Sequence, residues 1–245
     1  MPELTLSSHA VDIWYLWPDR VTDVARLASH EQILTDDERL RTQSFRFPEH
    51  RHSHLLTRAF VRTLLSQYSD VKPAEWRFVR SRYGRPEISG PASAPAINFS
   101  LSHTKGLIAC AISGEGSIGV DAENVERVAD YMEIAQRFFA PAEHGSLQGL
   151  AGSDRPRRFF EYWTLKESYV KARGLGLSLD LSGFAFRIDD QAIQIDFEPP
   201  DAAEAASWRF QLLTPGSNHI AAVSIRCGAG MPAKFTERDG APLMQ

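Results

Sequence analysis

The 245-residue chain has only two cysteines, Cys110 and Cys227, each inside an apolar, strand-like run. That argues against a disulfide framework or a thiolate metal site and favours reduced, buried thiols in a cytosolic protein. No stretch of eighteen apolar residues occurs, so no membrane-spanning helix is expected. The start lacks a basic segment and a small-residue cleavage site, so no secretory leader is expected. Positive charge is not in excess: 27 Lys and Arg against 31 Asp and Glu give a net charge of −4, which argues against bulk nucleic-acid binding. A GxxxxGK[ST] phosphate loop, a GxSxG elbow and a His/Cys cluster with zinc spacing are all missing.

What the chain does have is centred on Arg158–Gly176. Phe159, Phe160, Trp163, Leu165, Tyr169 and Val170 recur at helical spacing, and Gly174 and Gly176 supply a stop. Glu167 and Lys171 are four apart and share a face, one turn from Lys166. Upstream, Val11–Trp17 reads as a strand, residues 21–33 as a helix, and Thr35 to Glu38 as a capping box. Leu55, Leu56, Phe60, Val61, Leu64 and Leu65 then form an apolar helical stripe, with Arg51, Arg58 and Arg62 opposite. Those arginines fit either a solvated face or a one-sided basic surface. Three strands follow the Tyr83–Pro86 turn: Ile97–Ser102, Leu107–Ser113 and Ser117–Glu123. Residues 131–150 read as helical, four more strands run from Leu181 to Ile225, and the tail from Gly228 is expected to be loose.

Trp76-Arg77-Phe78 and Trp208-Arg209-Phe210 are each followed by a similar strand, and a long helix precedes each. The expected fold is therefore α+β: two similar halves with pseudo-twofold symmetry, each an antiparallel sheet packed on a long helix. The halves are set at residues 1–115 and 116–227, with residues 228–245 as the tail.

Asp121 and Glu123, at i and i+2 on a strand, project from one face. Two acids so close suit a hard cation such as Mg²⁺ between them, or they are simply exposed at a sheet edge. Glu167 would complete a three-carboxylate set if its helix packs on that strand end. His103 closes a strand presenting Ser100 and Ser102, and suits a phosphate or purine contact or an ordinary surface position.

Together, NFSLSH at Asn98–His103, GVDAE at Gly119–Glu123 and WTLKESYVKA at Trp163–Ala172 resemble the ordered motifs of Sfp-type 4′-phosphopantetheinyl transferases. YGRP at Tyr83–Pro86 and the segment Phe45–Arg62 extend the resemblance over roughly residues 34–180. It implies transfer of 4′-phosphopantetheine from coenzyme A to a serine of an apo acyl or peptidyl carrier protein, by a cytoplasmic monomer, with release of adenosine 3′,5′-bisphosphate. Asp121, Glu123 and Glu167 match the family's Mg²⁺ ligands, and Asp121, Glu167 and Lys171 its catalytic centre. Arg51, Arg85, Ser102, His103, Lys166 and Lys171 match coenzyme-binding positions. Arg85 stands where lysine is usual, and Glu38 where a basic residue is common. Two other readings use the same acids: a Mg²⁺-dependent nucleotide-diphosphate hydrolase, and a non-catalytic coenzyme- or carrier-binding module. The segment from Asn124 to Leu147 carries more apolar surface than one stripe needs, so either all of it packs into the second half's core or part stays exposed, with Met132 and Phe139 expected to dock the carrier.

Overall fold

The computed structural model describes residues 4–126, 130–189 and 192–245. Strand β1 (Ala10–Leu16) leads to helices α1 (Val24–Gln32), α2 (Asp36–Gln43) and α3 (Pro48–Leu65). A hairpin, β2 (Arg77–Arg80) and β3 (Pro86–Gly90), precedes strands β4 (Asn98–Thr104), β5 (Leu107–Ser113) and β6 (Ile118–Asn124). Helices α4 (Tyr131–Phe138), α5 (Pro141–Gln148) and α6 (Asp154–Arg173) come next. The hairpin β7 (Phe184–Ile188) and β8 (Ile193–Phe197), helix α7 (Ala202–Ala206), and strands β9 (Trp208–Gly216), β10 (His219–Arg226) and β11 (Lys234–Asp239) complete the chain. Local chemistry sets the ends: Thr35 and Glu38 close a capping box on α2, and Gly174 stops α6 in the left-handed region at φ 66°.

Two sheets carry the architecture, ordered β11-β1-β5-β4 and β6-β10-β9. Alternation along each strand then builds three layers of core. Trp14, Leu16, Ile108, Cys110 and Ile112 face α3, where they meet Leu56, Phe60 and Leu64. Val11, Ile13, Leu107, Ala109 and Ala111 face the other way and pack on Val120, Ala122, Ala221 and Val223 of the second sheet. Ile220 and Ala222, on that sheet's far side, meet Leu165 and Tyr169 of α6. The order is helix, sheet, sheet, helix, which explains why β5 is buried throughout and apolar up to Ser113: both its faces are covered. The α+β class expected from the sequence is what forms, and both cysteines are free and buried.

The sheets meet along β4 and β6, joined by hydroxyls. Ser100 Oγ accepts from the Val120 amide (3.0 Å), Ser102 Oγ from Ala122 (3.2 Å) and Thr104 Oγ1 from Asn124 (3.3 Å). The polar alternation of the Asn98–Thr104 segment is thus the stitching of the seam.

Three expectations need correction. Residues 131–150 form two helices, because Pro141 begins a new one. Phe139 is 4 % exposed and stacks on Phe159 at 5.3 Å, so it belongs to the core and leaves the neighbouring Phe138 exposed. Residues 127–129 of that segment lie outside the described residues. The tail is not loose: β11 pairs in parallel with β1 from Ala10↔Lys234 to Tyr15↔Asp239, and Met244 is fully buried beneath α3's core.

Candidate active site

Gly119 is what brings the acidic strand to the helix. A Cβ there would lie 1.9 Å from the Ser168 carbonyl oxygen and 2.5 Å from the Ala172 nitrogen, both on α6. With no side chain at Gly119, β6 lies directly on α6, and the next residues on that face, Asp121 and Glu123, run alongside Glu167 and Lys171. Lys171 Nζ pairs with Asp121 Oδ1 at 2.7 Å and donates to the Val120 carbonyl at 3.1 Å. Ser102 Oγ donates to the same Asp121 oxygen at 2.9 Å. The other oxygen, Oδ2, is buried and has no hydrogen-bond partner. Burial raises the Glu167 carboxyl above its ordinary value, the charges of Asp121 and then Glu123 add to that, and Lys171 opposes it. Thr104 Oγ1 donates to Glu123 Oε2 at 3.4 Å.

A buried carboxylate oxygen without a donor, next to a carboxyl raised by burial and by neighbouring acids, is the setting a hard cation stabilises. Asp121 and Glu167 fit such an ion, with Glu123 beside them. Among the described residues no three His, Cys, Asp or Glu side chains are gathered closely enough to hold one ion together. In this conformation Lys171 supplies the positive charge.

Among the clefts around this centre, two have arginine in their lining. One, of about 460 Å³, is lined by Arg41, His54, Arg58, Arg62 and Arg80. Burial pulls the Arg58 guanidinium below its ordinary value, Arg80 and Arg62 add to this, and Glu38 opposes it. Glu38 also bonds buried Arg62 at 2.7 Å, so the acid that departs from the family pattern holds an arginine in place. The other cleft, of about 340 Å³, runs from Tyr83 and Arg85 past Phe99 to Glu167 and Lys171. His103 lies between the cationic cleft and the acids: partial burial lowers its imidazole's pKa, Lys171 and Arg58 lower it further, and Asp121 raises it.

The structure therefore brings Asp121, Glu123, Glu167, Lys171 and His103 together. Four other residues matched to coenzyme-binding positions sit differently. Ser102 is buried, with its hydroxyl committed to Asp121 and the Ala122 amide. Lys166 is fully buried away from the clefts, paired with Glu143 at 2.8 Å and bonded to the Leu181 and Phe184 carbonyls at 2.7 Å each. Lys166 is therefore not brought to a coenzyme contact as the resemblance implied, because one residue along a helix turns the side chain about 100° away from Glu167. Arg51 is exposed on the first turns of α3 and donates to the Phe45 carbonyl at 3.4 Å, while Arg58, two turns on, lines the cleft. Arg85 is occupied by carbonyls of α6 and β4. Arg80 enters the cleft from the hairpin, and nothing in its sequence context marks it.

Acids on a strand, a lysine on a helix and arginines over an adjoining cleft define a protein built to hold a phosphorylated ligand against a carboxylate centre. Comparison with known proteins names the class. The model of the 4′-phosphopantetheinyl transferase superfamily matches residues 117–224, and that of the 4′-phosphopantetheinyl transferase N-terminal region matches 22–115. The chain is 32% identical over 235 residues to 4′-phosphopantetheinyl transferase HetI of Nostoc sp., covering 96% of this chain and 94% of that one. To 4′-phosphopantetheinyl transferase Sfp of Bacillus subtilis it is 28% identical, covering 83% and 88%. A holo-(acyl-carrier-protein) synthase from Bacillus anthracis in complex with CoA (3′,5′-ADP) aligns at 20% identity and TM-score 0.37, over 46% of this chain and 96% of that one. The chain belongs to the 4′-phosphopantetheinyl transferase superfamily, and to that class of enzyme.

Proposed function

We propose that the chain transfers the 4′-phosphopantetheine of coenzyme A to a serine of an apo acyl or peptidyl carrier protein, in a Mg²⁺-dependent reaction that releases adenosine 3′,5′-bisphosphate. The observation that carries this is Asp121, whose partnerless buried oxygen lies beside Glu167 and Lys171 on one side of the β4–β6 seam. Asp121 and Glu167 would hold Mg²⁺, with Glu123 drawn in from beside them to complete the set, and the ion when bound offsets the charge of the diphosphate. Lys171, paired with Asp121 inside the acid group, would turn toward the phosphate as charge moves to the leaving group. The carrier serine oxygen attacks the β-phosphorus, the bond from that phosphorus to the bridging oxygen breaks, and adenosine 3′,5′-bisphosphate departs. Glu167, whose raised carboxyl is poised to take a proton, receives it from the serine directly or through a water.

The crowded arginines of the larger cleft suit the coenzyme's 3′-phosphate, since a dianion there relieves their mutual repulsion. His103 contributes from the cleft's inner edge, and Arg51 would reach the rim by a turn of its side chain away from the Phe45 carbonyl. A monomer in the cytoplasm, with two halves related by a pseudo-twofold axis near residue 115, completes this reading. The described residues include no helix long and apolar enough to cross a membrane.

The test is incubation with coenzyme A, Mg²⁺ and an apo carrier protein, read by intact-protein mass spectrometry and nucleotide chromatography. A carrier mass gain equal to phosphopantetheine, with adenosine 3′,5′-bisphosphate formed in equal amount, is expected. Coenzyme A cleavage with the carrier unchanged would replace transfer by hydrolysis.

A further inference from the structure

Arg85 lies at the tip of the β2–β3 hairpin, in the N-terminal half, yet its guanidinium is bound to the second half's catalytic helix. Its Nη1 donates to the Lys171 carbonyl at 2.9 Å and the Ala172 carbonyl at 3.5 Å, and its Nη2 donates to Phe99 of β4 at 3.1 Å. Lys171 and Ala172 fall in the last turn of α6, where helical amides run short: the Lys171 carbonyl shares the Gly174 cap amide with the Val170 carbonyl, at 3.2 Å, and has room for a second donor. A cation at that end also complements the negative pole of the helix. The hairpin tip is seated there by packing as well: a Cβ on Gly176, just beyond α6, would lie 3.2 Å from the Tyr83 Cβ.

We propose that Arg85 is a positioning residue, a strut that holds the last turn of α6 against β4 and so fixes Lys171 and Glu167 relative to Asp121. The inference rests on the transferase reading for its kinetic consequences. A planar fork is needed, because two carbonyls of one helix turn and a third on a strand are reached from one guanidinium. Lysine, with one point-like ammonium on a flexible stem, would not span them. Displacement of the helix end by a fraction of a turn would move the Lys171 ammonium and the Glu167 carboxyl together, while the cleft built from Arg41, His54, Arg58 and Arg80 stays as it is.

The experiment compares Arg85→Lys and Arg85→Ala with the wild type, measuring kcat, the KM for coenzyme A, and hydrogen exchange of the amides of residues 170–174. Both variants should lose about 10- to 100-fold in kcat, keep the KM for coenzyme A within about twofold, and exchange faster at the end of α6. If Arg85→Lys restores the wild-type kcat, or the loss falls on the KM for coenzyme A alone, Arg85 is a ligand contact and the strut is wrong. Should Arg85→Ala fail to fold, the lysine variant decides. Should the wild type transfer nothing, the transferase reading fails by itself, and unchanged exchange in the lysine variant would separately overturn the strut.

Discussion

Asp121 engages one carboxylate oxygen with Ser102 and Lys171 and leaves the other buried without a partner, an arrangement that depends on the absence of a side chain two residues earlier. With Gly119→Ala, the added methyl meets the Ser168 carbonyl at 1.9 Å, so strand and helix must separate. Overpacking of this kind costs about 1–3 kcal/mol or more, which for a chain of this size lowers Tm by roughly 2–12 °C. A thermal melt with a transfer assay checks it: both stability and activity should fall, and an unchanged protein would mean β6 does not depend on this contact. His54 gives a second prediction. Burial, and then Arg58, pull its imidazole down to about 4 from 6.5. The unfolded chain therefore takes up a proton between those values and the folded chain does not. Stability from this residue is present above pH 6.5 and is lost as pH falls toward 4. Melts of the wild type and His54→Gln across that window should show a shallower pH slope for the variant; equal slopes would contradict the assignment.

Helix α6 holds its two lysines, Lys166 and Lys171, in opposite roles, and each can be tested at the level of the element. Lys166 and Glu143, both fully buried, join α6 to α5, and Glu143 also accepts from the Phe186 amide at 2.8 Å and the Ala140 amide at 3.0 Å. Removing one member leaves an uncompensated buried charge, at a cost of about 3–5 kcal/mol. Lys166→Met should therefore be strongly destabilised in denaturant melts, and the double variant Lys166→Met/Glu143→Gln should recover much of the loss. Equal or greater destabilisation of the double variant would show that the pair is not what these groups stabilise. The two lysines mark the limit of what the sequence shows. The i, i+4 spacing of Glu167 and Lys171 and the i, i+2 spacing of Asp121 and Glu123 place each pair on one face, and the structure keeps both. Which lysine reaches the acids was not legible, because α6 is buried nearly all round, Thr164 and Ser168 included. The arginines of α3 failed for a related reason. Periodicity put Arg51 and Arg58 on one side, but the hairpin that roofs the cleft crosses only the later turns, and its Arg80 comes from a different element. The alternation of Ser100 and Ser102 places them on one face of a strand from sequence alone, while Thr104 continues that face past the expected end, and the use of all three as the seam depends on a neighbouring strand from the other half.

Over the whole molecule, the chain's two ends are tied together. The tail reads as loose because β11 is short and polar and its partner, β1, is more than two hundred residues away. Arg238 Nε meets the buried Asp12 carboxylate at 3.0 Å, Tyr68 donates to that carboxylate at 2.6 Å, and Met244 closes the core under α3. Ending the chain at residue 233 should lower Tm by 10 °C or more, or leave the protein insoluble, on the order of several kcal/mol for a lost strand and a buried Met. A truncated chain that melts like the wild type would show that the strand is dispensable. The layered arrangement has one consequence for the proposed function: the candidate centre sits where the two sheets and α6 meet, so β4, β6 and α6 must be in register there.

That claim is tested most directly at Asp121. Rates of phosphopantetheine transfer to an apo carrier, followed by intact mass for the wild type and Asp121→Asn across a Mg²⁺ titration, isolate the carboxylate charge while nearly preserving shape. Melts of both proteins without Mg²⁺ accompany the rates. The expected result is a loss of about 100-fold or more at every Mg²⁺ concentration, in keeping with removal of an electrostatic group from a transition state, with Tm within a few degrees of the wild type. Near-normal transfer by Asp121→Asn at low Mg²⁺ would contradict the site described here.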